Sequence, residues 1–140
     1  MTNTFTCLLV DDDEDDLEIF EIALNDTGES YQCITAANGV DALQKLEKEE
    51  AFTPDFIFLD LNMPVMNGVE CLREIKKNVR LRDIPVIIYS TSSYIKDIEE
   101  MKRLGAAHFF TKPSSTDALK KILLAPFQKE SLPFSLSHED

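Results

Sequence analysis

Asp60 closes an apolar run, Phe56-Ile57-Phe58-Leu59, and is followed by Leu61-Asn62-Met63-Pro64. A carboxylate at the exit of a buried strand is costly unless something charged meets it there. Two other places in the chain supply candidates. Five aspartates and a glutamate, Asp11 through Asp16, end a second apolar run. Lys112 follows a third and precedes Pro113. An acid cluster, a lone aspartate and a lone lysine, each at a strand end, point to one site that binds a metal and handles phosphate. A hard cation such as Mg²⁺ takes oxygen ligands and keeps several waters, so one or two carboxylates suffice. Two carboxylates about 4 Å apart repel by roughly 4 kcal/mol at an effective dielectric of about 20, and a cation between them turns that cost into binding.

Asp11, Asp12 and Asp60 are the candidate ligands. Asp13 reads as a helix cap. Glu14, Asp15 and Asp16 read as a solvated first helical turn, favourable at the positive end of the helix dipole. Asp60 has two possible uses, as a ligand only or as a nucleophile toward a phosphoryl group. In the second case Lys112 brings a further positive charge to the phosphoryl oxygens, and Ser90, at another strand end, brings a hydroxyl donor.

The elements that must position these residues alternate along the chain. Apolar runs at Phe5–Val10, Tyr31–Ala36, Asp55–Leu59, Pro85–Tyr89 and Ala107–Thr111 read as strands. Between and after them lie segments with helical spacing: Leu17, Phe20 and Leu24; Val40, Leu43 and Leu46; Val69, Leu72 and Ile75; Ile95, Ile98 and Met101; Leu119, Ile122 and Leu123. Ser114 or Ser115 can cap the last helix. Five strands alternating with five helices imply an α/β fold, a doubly wound five-stranded parallel sheet. Continuous apolar strands fit a sheet covered on both faces, and right-handed crossovers put helices on both sides. In such a sheet the ligand site lies outside the carboxyl ends of the strands. The acid cluster, Asp60, Ser90 and Lys112 all fall there.

The 140 residues suffice for one domain, and 44% are hydrophobic. Residues 1–126 read as that domain and 127–140, after Pro126, as a C-terminal tail. Phe127, Leu132, Phe134 and Leu136 give the tail a means of packing; otherwise it is a loosely held end. A net charge of −12 argues against non-specific nucleic-acid binding and against an anionic membrane surface. It favours a basic partner or a divalent cation. Cys7, Cys33 and Cys71 are spaced neither as a disulfide framework nor as a zinc motif, and read as small buried hydrophobes. No stretch is long enough to span a membrane, and the N-terminus has no signal-peptide pattern, so a cytoplasmic location is expected.

Four segments together carry a resemblance: Leu8-Leu9-Val10-Asp11-Asp12-Asp13, Phe58-Leu59-Asp60-Leu61-Asn62-Met63-Pro64-Val65-Met66-Asn67-Gly68, Pro85-Val86-Ile87-Ile88-Tyr89-Ser90 and Thr111-Lys112-Pro113. In this order the chain resembles the receiver domain of bacterial two-component response regulators over about residues 5–125. The resemblance implies the flavodoxin-like strand order 2-1-3-4-5. It implies that Asp60 accepts a phosphoryl group from a histidine kinase or phosphotransfer protein. Asp12 and Asp60 match direct Mg²⁺ ligands, with the backbone carbonyl of Asn62 as a third, and Asp11 matches the acid that holds the metal through water. Ser90 matches the switch hydroxyl, and Lys112 the lysine that pairs with the phosphoryl group. Phe109 matches the aromatic that swings inward as the hydroxyl moves, or is a plain core aromatic. The Lys112–Pro113 bond is typically cis in this family. Met63-Pro64 and Gly68 match the loop that closes over the site, while Asn62 and Thr91 occupy positions that tune hydrolysis. His108 and His138 are not placed for catalysis. The face bearing Lys96, Glu99, Lys102 and Arg103 reads as solvated, although the surface of the fourth helix, fifth strand and fifth helix often meets partners in this family.

The expected function is a stand-alone phospho-acceptor switch, a monomer or weak homodimer, with no output domain after residue 126. Its output then goes through an unidentified downstream protein, with no direct DNA binding. A Mg²⁺-dependent phosphatase with a phospho-aspartate would need a second acid two residues after the nucleophile, where Asn62 stands. A flavin-binding relative would need a phosphate-cradling loop after the first strand, where acids would repel phosphate. A receiver-like binding module acting without phosphorylation is the remaining alternative.

Overall fold

A computed structural model of the chain describes residues 5–48, 53–113, 115–128 and 134–136. Six strands, β1 (Phe5–Val10), β2 (Tyr31–Ala36), β3 (Phe56–Leu59), β4 (Val86–Ser90), β5 (His108–Thr111) and β6 (Ser135–Leu136), form one parallel sheet. Their order is β2-β1-β3-β4-β5-β6. The expected five strands stand in the expected order, and β6 is an addition. Five helices intervene: α1 (Glu14–Asp26), α2 (Gly39–Lys48), α3 (Gly68–Lys77), α4 (Ile95–Arg103) and α5 (Thr116–Gln128).

Alternation along each strand divides the core into two layers. Leu8, Val10, Ile57, Leu59, Val86, Ile88 and Phe109 face α2, α3 and α4, which contribute Ala42, Leu46, Leu72, Ile75 and Met101. Cys7, Leu9, Phe58, Ile87, Tyr89 and Phe110 face α1 and α5, which contribute Phe20, Leu24, Leu119, Ile122 and Leu123. Most of these side chains are almost wholly buried, and each large one removed from water stabilises the fold by about 1.5–3 kcal/mol. Ile95 departs from its expected place on the apolar face: it is 71% exposed in the first turn of α4, and Met101 is the buried residue of that helix.

Asp13 starts α1, its carboxylate accepting from the N–H groups of Asp15 and Asp16 at 2.9 and 3.2 Å. Asn67 starts α3 in a reciprocal capping arrangement with Glu70. The Ser115 hydroxyl accepts from the Ala118 N–H at 3.1 Å before α5; Ser114 lies outside the described residues. Asp55, read from sequence as part of β3, stands just before it. Its N–H donates to the Thr6 carbonyl at 2.7 Å and its carboxylate accepts from the Thr6 N–H at 2.8 Å.

At the other end of the chain, α5 continues through Pro126 to Gln128. Phe134 packs against the α2–α3–α4 layer, the Lys102 ammonium lies 5.8 Å from its ring centre, and its carbonyl accepts from the Phe109 N–H at 2.7 Å. Residues 134–136 are thus seated on the domain. Leu132 and His138 lie outside the described residues.

Candidate functional site

Just past the strands, backbone hydrogen bonds tie the carboxyl end of β1 to β2, of β3 to β1 and of β5 to β4. Asp11 N–H donates to the Ala36 carbonyl at 3.0 Å, Asp60 N–H to Val10 at 3.0 Å and Lys112 N–H to Ser90 at 2.7 Å. Asp11, Asp60 and Lys112 are thus each held by a neighbouring strand, which fixes where their side chains start.

The side chains then converge. Lys112 Nζ donates to Asp11 Oδ2 at 2.7 Å and to Asp16 Oδ2 at 2.8 Å, and lies 3.7 Å from Asp60 Oδ2. The Lys112 side chain is 9% exposed, and its ammonium stands 5.4 Å from the centre of the Tyr89 ring. Burial alone would pull the Lys112 pKa down, but the three acids outweigh it and hold it above the usual lysine value. Burial pushes the Asp11 carboxyl up, while Lys112 and the Asp13 N–H pull it down, with a net rise. Asp60 is pushed up to about 6, first by burial and further by Asp11; Lys112 and the N–H groups of Asn62 and Leu61 work against the rise. Asp60 is consequently ionised near neutral pH, yet carries a charge the fold does not fully compensate.

One carboxylate oxygen from each of Asp11, Asp12 and Asp60 lies within 4.8 Å of the others. An all-oxygen, all-carboxylate set of this spacing fits a hard divalent cation. Its members differ in availability. Asp11 is 1% exposed, and both of its oxygens already accept, Oδ1 from the Asp13 N–H at 3.0 Å and Oδ2 from Lys112. Asp12 is exposed and takes part in no ion pair among the described residues.

Gly68 shapes the wall. Its N–H donates to the Leu61 carbonyl at 2.9 Å, and a Cβ there would come within 2.3 Å of the Asp60 carbonyl oxygen. Only glycine lets α3 start this close to the backbone that carries Asp60. In the same loop, exposed Val65 has φ 69°, and Met66 N–H donates back to Pro64 at 2.7 Å.

Ser90 is fully buried at the end of β4, beside β3, and its hydroxyl accepts from the Ser92 N–H at 3.3 Å. Thr91 is exposed. Phe109 is fully buried against the α2–α3–α4 layer, so in this structure it already stands inward as a core aromatic. His108 stacks on Phe110 at 5.7 Å between ring centres, away from the acids. The Lys112–Pro113 bond, expected to be cis, is trans: there is no cis peptide bond among the described residues. Trans is the intrinsically favoured isomer even before proline.

Two residues at the site were not singled out in the sequence. Asp16, read as part of a solvated helical turn, is bound to Lys112 and only 31% exposed. Tyr89, buried, provides the aromatic surface beneath the ammonium.

The family model described as the response regulator receiver domain matches residues 7–124. Sporulation initiation phosphotransferase F of Bacillus subtilis is 38% identical over 108 residues, covering 76% of this chain and 83% of that protein. The solved structure of a phosphorylated cyanobacterial phytochrome response regulator, RcpA, superimposes with a TM-score of 0.83 at 30% identity, covering 94% of this chain and 99% of that one. The Mn²⁺-bound form of response regulator Rcp1 gives a TM-score of 0.78 at 29% identity, covering 93% and 98%. Some curated relatives are much longer: the chain spans 26% and 25% of the length of two of them. Matched by that family model over residues 7–124 and folded with the five strands in the order β2-β1-β3-β4-β5, the chain belongs to the response regulator receiver domain family.

Proposed function

We propose that this chain is a phospho-acceptor signalling switch of a two-component phosphorelay. The observation that carries the proposal is the convergence of buried Asp11 and Asp60 on the Lys112 ammonium at the mouth of the sheet. An Asp60 carboxylate oxygen attacks the phosphorus of a phosphohistidine on a histidine kinase or phosphotransfer protein. The new P–O bond forms as the P–N bond breaks, and the imidazole leaving group takes up a proton. Lys112 moves its ammonium to the phosphoryl oxygens, and Ser90 turns its hydroxyl toward them. When bound, Mg²⁺ would be held by Asp12, Asp60 and the Asn62 carbonyl, with Asp11 acting through water, and would neutralise charge on the phosphoryl group.

Support comes from the donor set and from the relatives. One solved relative is phosphorylated, another carries Mn²⁺, and a third is named a phosphotransferase. The chain promotes only its own phosphorylation and dephosphorylation, since Asn62 stands where a phosphatase of external substrates would need an acid. With Phe109 already inward, Ser90 and the surface around α4 and β5 are the parts left to move. The added charge of about −1.5 to −2 biases them toward a downstream protein partner. The net charge of −12 disfavours DNA as that partner. Among the described residues no helix is long and apolar enough to cross a membrane.

The test is intact mass after incubation with a small-molecule acyl phosphate and Mg²⁺. Wild type should gain one acid-labile phosphoryl group, and Asp60→Asn none. Equal labelling of Asp60→Asn, or stable labelling of wild type without a divalent cation, would sink the assignment.

A further inference from the structure

The Lys112 ammonium has three protons to donate. Two go at short range to Asp11 and Asp16, and the position where a phosphoryl group would appear, Asp60, is the most distant of the three. Asp11 also belongs to the candidate metal group, so a cation bound there competes with Lys112 for the same carboxylate and repels the ammonium. Asp16 does not belong to that group. It projects from the first turn of α1, whose start is fixed by the Asp13 cap, and so offers the lysine an anchor that the metal does not contest.

An exposed ion pair would be worth little. This one has a lysine side chain 9% exposed and confined by the Tyr89 ring, so the ammonium has few other places to rest. A lysine on its flexible four-carbon stem otherwise loses side-chain freedom each time it must be brought to a reacting group.

We infer that Asp16 is a positioning residue for phosphoryl transfer: it keeps the Lys112 ammonium over the pocket, within reach of Asp60, while the acids are occupied by metal. It touches neither the phosphoryl group nor the metal and acts only through the lysine. The inference rests on the phospho-acceptor reading of the site.

The experiment is a labelling time course by intact mass, with the full chain, saturating Mg²⁺ and a range of acyl phosphate concentrations. Asp16→Asn should lower the maximal rate about tenfold, in line with what misplacing a reacting group costs. The half-saturating donor concentration should stay unchanged, and thermal melting should report a folded protein. Asp16→Glu should recover at least half of the lost rate. In a Lys112→Met background, Asp16→Asn should change the rate no further. Wild-type labelling by Asp16→Asn, or an equal loss in the Lys112→Met background, would overturn the inference. If Lys112→Met labels too slowly to read, the glutamate variant decides: recovery supports the inference and absence of recovery overturns it. Failure of wild type itself to label would sink the phospho-acceptor reading instead, so the two failures are distinguishable.

Discussion

The Lys112 ammonium lies 2.7 Å from Asp11 and 3.7 Å from Asp60, so a single cation serves both a fully buried carboxylate and the proposed phosphoryl acceptor. Removing it leaves Asp11 without a counter-charge in the interior, where breaking one partner of a buried pair costs about 3–5 kcal/mol. Lys112→Ala should therefore lower the stability of the metal-free protein by about 3 kcal/mol in urea unfolding at neutral pH. Millimolar Mg²⁺ should restore part of the loss. A change below about 0.5 kcal/mol, the size of an ordinary surface substitution, would mean that the pairing is incidental.

Asp60 gives the opposite sign. Its pKa rises from 3.8 to about 6 on folding, mainly through burial. For a group raised in this way, the favourable contribution to folding is complete below 3.8 and is lost as pH rises through about 6. Above that window the ionised carboxylate is a burden on the fold. Asp60→Asn should stabilise the metal-free protein at pH 7.5 by on the order of 1–3 kcal/mol, and the gain should fade between pH 6 and 4. Mg²⁺ should narrow the difference by stabilising only wild type. A destabilised Asp60→Asn at pH 7.5 would contradict this account.

Gly68 tests how tightly the loop is built. Its missing Cβ would meet the backbone of Asp60 and Leu61, not a side chain that can turn away. Gly68→Ala should cost more than about 2 kcal/mol, beyond the usual range for a surface helix start and in spite of alanine's better helix propensity. Chemical denaturation measures it. Stability equal to or above wild type would show that α3 can slide outward at no cost.

Much of this is legible in the sequence alone. Asp60, Ser90 and Lys112 each end an apolar run, and the rule that parallel sheets carry their sites at the carboxyl ends placed them together. Asp16 was not legible, because its partner lies 96 positions away and an acid in a first helical turn looks the same whether solvated or paired. Helical spacing marked Ile95 as facing the core, but periodicity gives a direction and not how far the first turn of α4 overhangs the sheet. Tyr89 was hidden in its own strand, since nothing local to β4 states what lies above the ring. The two-residue β6 is too short for any alternation to register.

That short strand makes its own prediction. The Phe109 N–H donates to the Phe134 carbonyl, so its amide hydrogen should exchange slowly with solvent. Ending the chain at residue 130 should speed exchange at Phe109 by at least about tenfold, while amides of β1 and β3 keep their protection. Unchanged protection at Phe109 after truncation would show that the contact has no role in holding that amide.

Pairing with β6 also changes which parts of the sheet another chain can reach. β5 would otherwise be the outermost strand next to α4, with a row of open backbone groups of the kind that recruits extended peptides. Here the chain's own Ser135 and Leu136 fill that row opposite Phe109 and Phe110. A partner reading this side of the protein must recognise side chains, or first peel the C-terminal segment away. Strand addition without such displacement is confined to β2 and β6.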